Sequence, residues 1–285
     1  MKKDTNRKRK RRFRGEVDSL QAQMKQKHNG TWKLYSVLRA LVIVFSILAI
    51  LERRYEYFLI CMLSLVLFLV PSFLEKKLKI EFPSTLEKII LLFIYAAEIL
   101  GEMQAFYVKF PWWDTMLHTL NGFLCAAVGF ALVDILNSNP KVKFELSPIY
   151  LAIAAFCFSM TVGVLWEFFE FSMDQFFHLD MQKDTIVTAI SSVKLDPNGE
   201  NVPYVMKNIV DTTVNGQSLG IQGYLDIGLI DTMKDLIVNF VGAVAFCVIG
   251  YIYVATKGKN EIASKFIPTR QEKKEKTEEI EEKTI

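Results

Sequence analysis

The sequence lacks the short motifs that define many enzyme classes. It contains no Walker A loop, no GxSxG element, no HExxH pair and no glycine fingerprint for dinucleotides. These absences exclude the motif-defined forms of nucleotide hydrolases, serine hydrolases, zinc peptidases and dinucleotide-dependent oxidoreductases. Any chemistry must therefore come from residues that the fold brings together.

Cysteine and histidine are also scarce, with four and three residues among 285. No two cysteines form a CxxC pair, and each lies inside an apolar block. We therefore expect small buried side chains rather than disulfides or metal ligands. These residues are Cys61, Cys125, Cys157 and Cys247.

A cleavable signal peptide is not visible either. The first fourteen residues are almost entirely polar and basic, and no apolar run begins before about Leu34. This pattern favours a cytoplasmic N-terminus, with the first span acting as an uncleaved signal anchor.

Long apolar runs are abundant, and hydrophobic residues make up 51% of the chain. They form blocks of about 20 residues, the length that crosses a hydrocarbon core about 30 Å thick. The blocks predict an all-α, polytopic transmembrane helix bundle of about six spans. They cover 34–51, 56–73, 87–107, 114–136, 148–171 and 228–255.

The distribution of basic residues predicts the orientation of the bundle. Twenty-six Lys and Arg lie in the two tails and in the loops 74–88 and 137–147, against six in the other connections. The positive-inside rule places the richer side in the cytoplasm. A basic tail (1–33) and a charged tail (256–285) then flank a bundle (34–255) from the cytoplasmic side. We expect the N-terminal tail to contact anionic lipids and no specific nucleic acid.

One long connection, 172–226, joins spans five and six on the extracytoplasmic side of this topology. Its β-branched runs are broken by Pro-Asn-Gly and Asn-Gly. This pattern predicts a small hairpin-like insertion, and a mobile loop over the membrane surface is the alternative.

Ionisable side chains at the outer ends of four spans are the main functional clue. Such groups cost roughly 2.5–3.5 kcal/mol each on membrane insertion scales, and they commonly face a polar interior and have a function. Spacings of three, four or seven residues place them on shared helix faces. The groups are Glu98 with Glu102, Asp114 with His118, Glu167 with Glu170 and Asp174, and Asp231 with Asp235.

The alternating direction of the spans brings these faces to one depth near the outer leaflet. Carboxylates combined with one histidine suit Mg²⁺, Mn²⁺ or Zn²⁺. We therefore predict a pocket for a divalent metal cation. The predicted metal ligands are Asp114, His118, Glu167, Glu170, Asp231 and Asp235, and the predicted catalytic residues are Glu167, Glu170 and Asp235.

Structural interpretations compete with this one. Asp114 precedes an apolar run, as a helix N-cap does, and His118 could be a hydrogen-bonded core residue. Asp231 and Asp235 could pair with Lys234 rather than line a site.

Two further patterns favour packing over chemistry. Asn121-Gly122 and Asn239 with Gly242 predict a tight helix contact with an interhelical hydrogen bond. Three tryptophans predict the outer aromatic belt. They are Trp112, Trp113 and Trp166.

Three segments carry a family resemblance: WWDTMLHTLNGF, GVLWEFFEFSMDQF and DTMKDLIVNFVGA. Over about 85–255 the chain resembles the YjdF-like group of bacterial inner-membrane proteins. The order Asp-x3-His, paired Glu and Asp-x3-Asp is more loosely similar to VanZ-like proteins, which are linked to glycopeptide resistance and cell-envelope traits. The long outer insertion departs from the short-loop pattern of the latter. The resemblance implies a bacterial inner membrane and the same six polar residues as a signature, but no particular reaction.

Three functions are consistent with these observations. The first is an intramembrane metal-dependent enzyme acting on a lipid or lipid-linked envelope substrate. The second is a cation- or proton-coupled transporter, which would need a polar path through the inner half of the bundle. The third is a non-catalytic partner or sensor protein that binds a cation to order the outer loop.

Overall fold

The computed structural model describes residues 29–137 and 146–270. Among these, five helical segments are long and apolar enough to cross a membrane. The prediction of a helical multi-pass membrane protein is therefore confirmed. The segments are Gly30–Leu51, Tyr55–Leu78, Trp113–Asp134, Pro148–Phe177 and Leu229–Ala255.

Contacts divide the described residues into two compact units, one formed by 29–137, 146–160 and 239–270 and the other by 161–238. Two long helices, α7 and α8, contribute to both units. The helices are α1 (Asn29–Leu51), α2 (Tyr55–Leu67), α3 (Val70–Leu78), α4 (Ser84–Tyr95), a π-helix (Ala96–Met103), α5 (Phe106–Lys109), α6 (Trp113–Asn137), α7 (Pro148–Phe177), α8 (Leu229–Ala255) and α9 (Glu261–Ser264).

The third predicted span, 87–107, differs from the other five. Helix α4 has 12 residues and continues as a π-helix that carries Glu98 and Glu102. Ala105 then adopts a left-handed conformation (φ 57°), which stops the helix. The ring of Tyr107 packs so closely on Gly101 that a Cβ there would collide with it. The block is therefore helical from Ser84 to Met103, first as an α-helix and then as a π-helix, and is not a single α-helix over 87–107.

Aromatic and small residues build the core of the first unit. Phe246 lies edge-on to Phe123 and Phe130, with ring centroids 5.3 and 6.0 Å apart. Burying a large apolar side chain contributes about 1.5–3 kcal/mol. Alanines let the helices approach around these rings, and they include Ala126, Ala127, Ala131, Ala155 and Ala243.

Helices α6 and α8 cross at glycines, as the sequence predicted. A Cβ at Gly122 would collide with the carbonyl oxygen of Asn239, and one at Gly242 would collide with that of Thr119. The Nδ2 of Asn121 donates to Oδ1 of Asn239 at 3.2 Å. The predicted interhelical hydrogen bond is confirmed, and the absent side chains are what allow the backbones to meet.

The chain after α8 returns to this core. Asn260 caps α9 by accepting hydrogen bonds from the backbone N–H groups of Ile262 and Ala263. Ile267 is fully buried, and strand β8 (Thr269–Arg270) pairs antiparallel with β1 (Ile80–Glu81). The first part of the charged tail thus packs against the unit, and residues 271–285 lie outside the described residues.

The second unit contains the insertion and its short strands. Strand β2 pairs with β7, β3 with β4, and β5 with β6, all antiparallel. The tight turn at Asn215-Gly216, with φ 52° and 81°, joins β5 to β6. The predicted hairpin-like insertion is therefore confirmed. The strands are β2 (Ile186–Val187), β3 (Ala189–Ser192), β4 (Tyr204–Lys207), β5 (Thr213–Val214), β6 (Gln217–Ser218) and β7 (Tyr224–Leu225).

Two predictions about individual side chains need correction. None of the four cysteines forms a disulfide, as expected, but only Cys61 is buried, and Cys157 is exposed. Trp112 and Trp166 are exposed as belt residues would be, whereas Trp113 is buried. Trp113 packs instead on Phe106, with ring centroids 4.9 Å apart, because the chain between the π-helix and α6 folds back on itself.

Candidate metal centre

Three carboxylates meet within the second unit. Glu167 and Glu170 are three residues apart on α7, and Asp235 lies on α8. One carboxylate oxygen from each residue lies within 4.8 Å of the others. All three side chains are buried, with residue exposures of 5, 8 and 3%. The structure therefore brings together the three residues that the sequence predicted to be catalytic.

Ionising all three carboxylates at once is electrostatically costly in this arrangement. Two unit charges 4.8 Å apart repel by about 3.5 kcal/mol at an effective dielectric constant of about 20. Burial adds a desolvation penalty for each charge. Protons, a bound cation or the neighbouring groups that interact with these side chains must therefore offset much of the negative charge. Hard carboxylate oxygens at this spacing suit a divalent cation such as Mg²⁺ or Mn²⁺.

Neighbouring side chains orient two of the carboxylates. The indole Nε1 of Trp166 donates to Oε1 of Glu170 at 2.9 Å. The amide Nε2 of Gln182 lies 3.4 Å from Oε2 of Glu167 and donates to Oγ1 of Thr232 at 2.6 Å. Such outer hydrogen bonds fix ligand geometry in metal sites.

The first residues of the insertion are fastened to the ends of both helices. We refer to residues 181–183 as the stem. The carboxylate of Asp174 accepts the backbone N–H groups of Met181 and Gln182 at 2.7 and 2.9 Å. Oδ2 of Asp231 accepts the N–H of Lys183 at 2.7 Å. The stem therefore bridges α7 and α8, and the Gln182 side chain reaches Glu167.

Sequence reasoning missed Gln182 and Thr232. Gln182 lies in a polar loop, twelve residues beyond Glu170, and no periodicity connects it with the helix face. Asp174 shares that face by spacing, but its two oxygens bind stem backbone. Helix α7 ends at Phe177, and the chain reverses at His178 (φ 55°), which returns the stem to Asp174.

Three further residues were predicted to be metal ligands, and they are Asp114, His118 and Asp231. Asp114 and His118 are neighbours on α6 in the first unit, with Oδ1 and Nε2 3.6 Å apart. Asp114 lies in the first turn of α6, which begins at Trp113. Asp231 uses Oδ2 to hold the stem. Participation of these three residues in metal binding stays a prediction.

Two aspartates of the insertion have pKa values shifted from the ordinary value for aspartate. Burial, with the nearby charges of Asp180 and Asp226, raises the pKa of Asp184. Hydrogen bonds from backbone N–H groups, that of Asn198 foremost, lower the pKa of Asp196. Asp226 accepts the N–H of Ile230 at 2.8 Å, near the start of α8.

The helices and their composition define a multi-pass membrane protein with a buried acidic cluster. Residues 34–195 match the family described as "Predicted membrane protein (DUF2238)", which covers more than half of the chain. The protein belongs to this family. No match to the chain was found among curated proteins. None was found among solved structures.

Proposed function

We propose that this protein is a metal-dependent enzyme of the bacterial inner membrane that acts on a lipid or lipid-linked envelope substrate. The three carboxylates of Glu167, Glu170 and Asp235, buried and gathered within 4.8 Å, carry the proposal. Both chain ends lie in the cytoplasm, as the distribution of basic residues indicates. The YjdF-like and VanZ-like resemblances agree with an envelope role.

The depth of the cluster suits a bond near the lipid headgroup. Helix α7 has 30 residues and is about 45 Å long, close to the thickness of a bilayer with its headgroups. Glu170 lies seven residues, or about 10 Å, before the helix end. This level is near the boundary between hydrocarbon and headgroups, where phosphoryl and acyl ester groups of lipids are found.

The chain can supply acid–base chemistry at this depth. A divalent cation held by the cluster would polarise a phosphoryl or acyl group, or activate water. Trp166 and Gln182 keep Glu170 and Glu167 in defined orientations. A carboxylate that is not engaged with the cation would accept a proton from the attacking water.

The test compares envelope lipids in cells that carry wild-type protein, Glu167→Gln or the control Glu200→Gln. Glu200 is an exposed residue of the insertion. We expect E167Q to reproduce the lipid profile of a deletion strain, while E200Q matches wild type and both variants accumulate normally. A wild-type lipid profile in E167Q cells would contradict an enzymatic role for the cluster.

A second candidate is a non-catalytic sensor, favoured by the stem. Asp174 and Asp231 fasten the stem beside the cluster, so a bound cation could order the insertion for a protein partner. Capture of one stable partner only when Mn²⁺ is present, together with an unchanged lipid profile, would favour this function.

The third candidate function is a cation- or proton-coupled transporter. The core around Phe130 and Phe246 is apolar, which disfavours a polar path through the first unit. Metal-driven flux in proteoliposomes, abolished by E167Q, would favour transport over the other two.

A further inference from the structure

A side chain of the insertion, which the sequence predicts as a hairpin-like element, lies beside the proposed metal centre. Gln182 Nε2 lies 3.4 Å from Oε2 of Glu167 and 2.6 Å from Oγ1 of Thr232. The stem that carries it is held by Asp174 at one side and Asp231 at the other. The amide therefore has a fixed backbone and a side chain that can rotate.

Packing keeps Gln182 in this place. Gly228 lies directly before α8 and has a left-handed conformation (φ 75°). A Cβ at Gly228 would collide with the Cβ of Gln182. The close approach of these two residues presses the stem against the start of α8, one turn before Thr232.

The partners of the amide allow it two orientations. In the described arrangement the amide N–H faces the Glu167 carboxylate, which suits a cluster with excess negative charge. Turning the amide by half a rotation would present Oε1 to the cluster instead. The Thr232 hydroxyl can accept a hydrogen bond from Nε2 or donate one to Oε1, so it satisfies either orientation. A neutral amide oxygen is a normal ligand for Mg²⁺ and Ca²⁺.

We propose that Gln182 is the insertion's ligand to the cation at the Glu167, Glu170 and Asp235 cluster, so that cation binding and closure of the stem over the cluster stabilise each other. This inference rests on the proposed metal site but holds for an enzyme and for a sensor alike. The insertion is then a cation-dependent cover of the site rather than a passive loop. Because thermodynamic coupling is reciprocal, the factor by which the cation lowers the equilibrium constant for stem opening equals the factor by which stem closure tightens cation binding.

The experiment measures both sides of this coupling on the full-length protein in nanodiscs. Mn²⁺ affinity comes from electron paramagnetic resonance titration, and stem opening comes from hydrogen exchange of a peptide covering residues 178–187. In wild type we expect Mn²⁺ to slow exchange of the stem amides by about tenfold. In Gln182→Ala we expect Mn²⁺ affinity to fall about tenfold and the Mn²⁺ effect on stem exchange to disappear.

Two more variants separate ligation from a merely structural role. Gln182→Glu places a carboxylate at the same point, and we expect it to bind Mn²⁺ more tightly than wild type. Gln217→Ala removes an exposed glutamine of β6 and should leave both measurements unchanged. A structural role for Gln182 would make Q182E bind no better than Q182A.

The outcomes distinguish this inference from the proposed function. Mn²⁺ binding by wild type without slower stem exchange would overturn the coupling and leave the metal site in place. Equal slowing of stem exchange by Mn²⁺ in wild type and in Q182A would also overturn the coupling and leave the metal site in place. Absence of Mn²⁺ binding by wild type would overturn both the coupling and the proposed metal site.

Discussion

Replacing Glu170 by Gln should make the metal-free protein more stable and abolish its stabilisation by metal. If all three carboxylates were ionised, each pair would repel by about 3.5 kcal/mol at the largest separation of 4.8 Å and an effective dielectric constant of about 20. Glu170 takes part in two such pairs, so its neutralisation removes about 7 kcal/mol of repulsion from three ionised groups. Proton uptake and relaxation absorb much of this energy in the wild type. We expect a net gain of about 2 kcal/mol, or roughly 5 °C in Tm.

The assay is thermal unfolding of purified protein in detergent at neutral pH, with a chelator or with Mn²⁺. In the chelator, E170Q should unfold at a higher temperature than wild type. In Mn²⁺ the order should reverse, because a ligand that binds only the folded state stabilises it by RT ln(1 + [L]/Kd), and this gain is smaller for a variant that binds Mn²⁺ more weakly. Glu200→Gln, which neutralises an exposed insertion residue, should follow wild type in both conditions. A wild-type Tm that is insensitive to Mn²⁺ and equal to that of E170Q would refute the electrostatic reasoning.

Three further predictions concern packing and pH. Gly122→Ala should lower the free energy of unfolding by up to about 3 kcal/mol, because its Cβ would collide with the Asn239 backbone. Gly250→Ala, whose Cβ would lie 3.1 Å from the Phe130 ring, should lower it by less than about 1 kcal/mol. Equal decreases in Tm for the two variants would contradict this. Ionised Asp196 stabilises its turn fully at pH values above 3.8, the pKa of the unfolded state, and this stabilisation is lost as the pH falls through the lower pKa of the folded state. Hydrogen exchange of residues 196–202 should therefore become faster at low pH. Asp184→Asn should raise the free energy of unfolding slightly at neutral pH, by less than about 1 kcal/mol, because the raised pKa of Asp184 shows that folding disfavours its charged form. A lower Tm for the variant than for wild type would contradict this.

The grouping of Glu167, Glu170 and Asp235 could be predicted because helix periodicity and span direction together determine it. Three-residue spacing places Glu167 and Glu170 on one face of α7. Antiparallel neighbouring spans then bring the start of α8 to the same level. The crossing of α6 and α8 at Gly122 was equally predictable, since small residues beside asparagine signal close helix contact.

Other features depend on contacts between distant parts of the chain, which no local pattern records. The mean hydropathy of residues 96–103 cannot distinguish an α-helix from a π-helix, because it depends on composition and not on the number of residues per turn. Phe266 and Ile267 are too short an apolar run to suggest a core contact within a charged tail. Gln182 reaches Glu167 only because the chain reverses after α7 and Asp174 fastens the stem.

Direct titration with Mn²⁺ tests the metal centre most closely. Purified full-length wild type, Asp235→Asn and His118→Ala would be titrated side by side, followed by metal analysis after removal of free ions. If the cluster binds a metal ion, we expect about one Mn²⁺ per wild-type chain and at least tenfold weaker binding in D235N. The affinity of H118A shows whether the histidine takes part in binding. Wild-type protein that retains no metal, or D235N that binds as tightly as wild type, would contradict it.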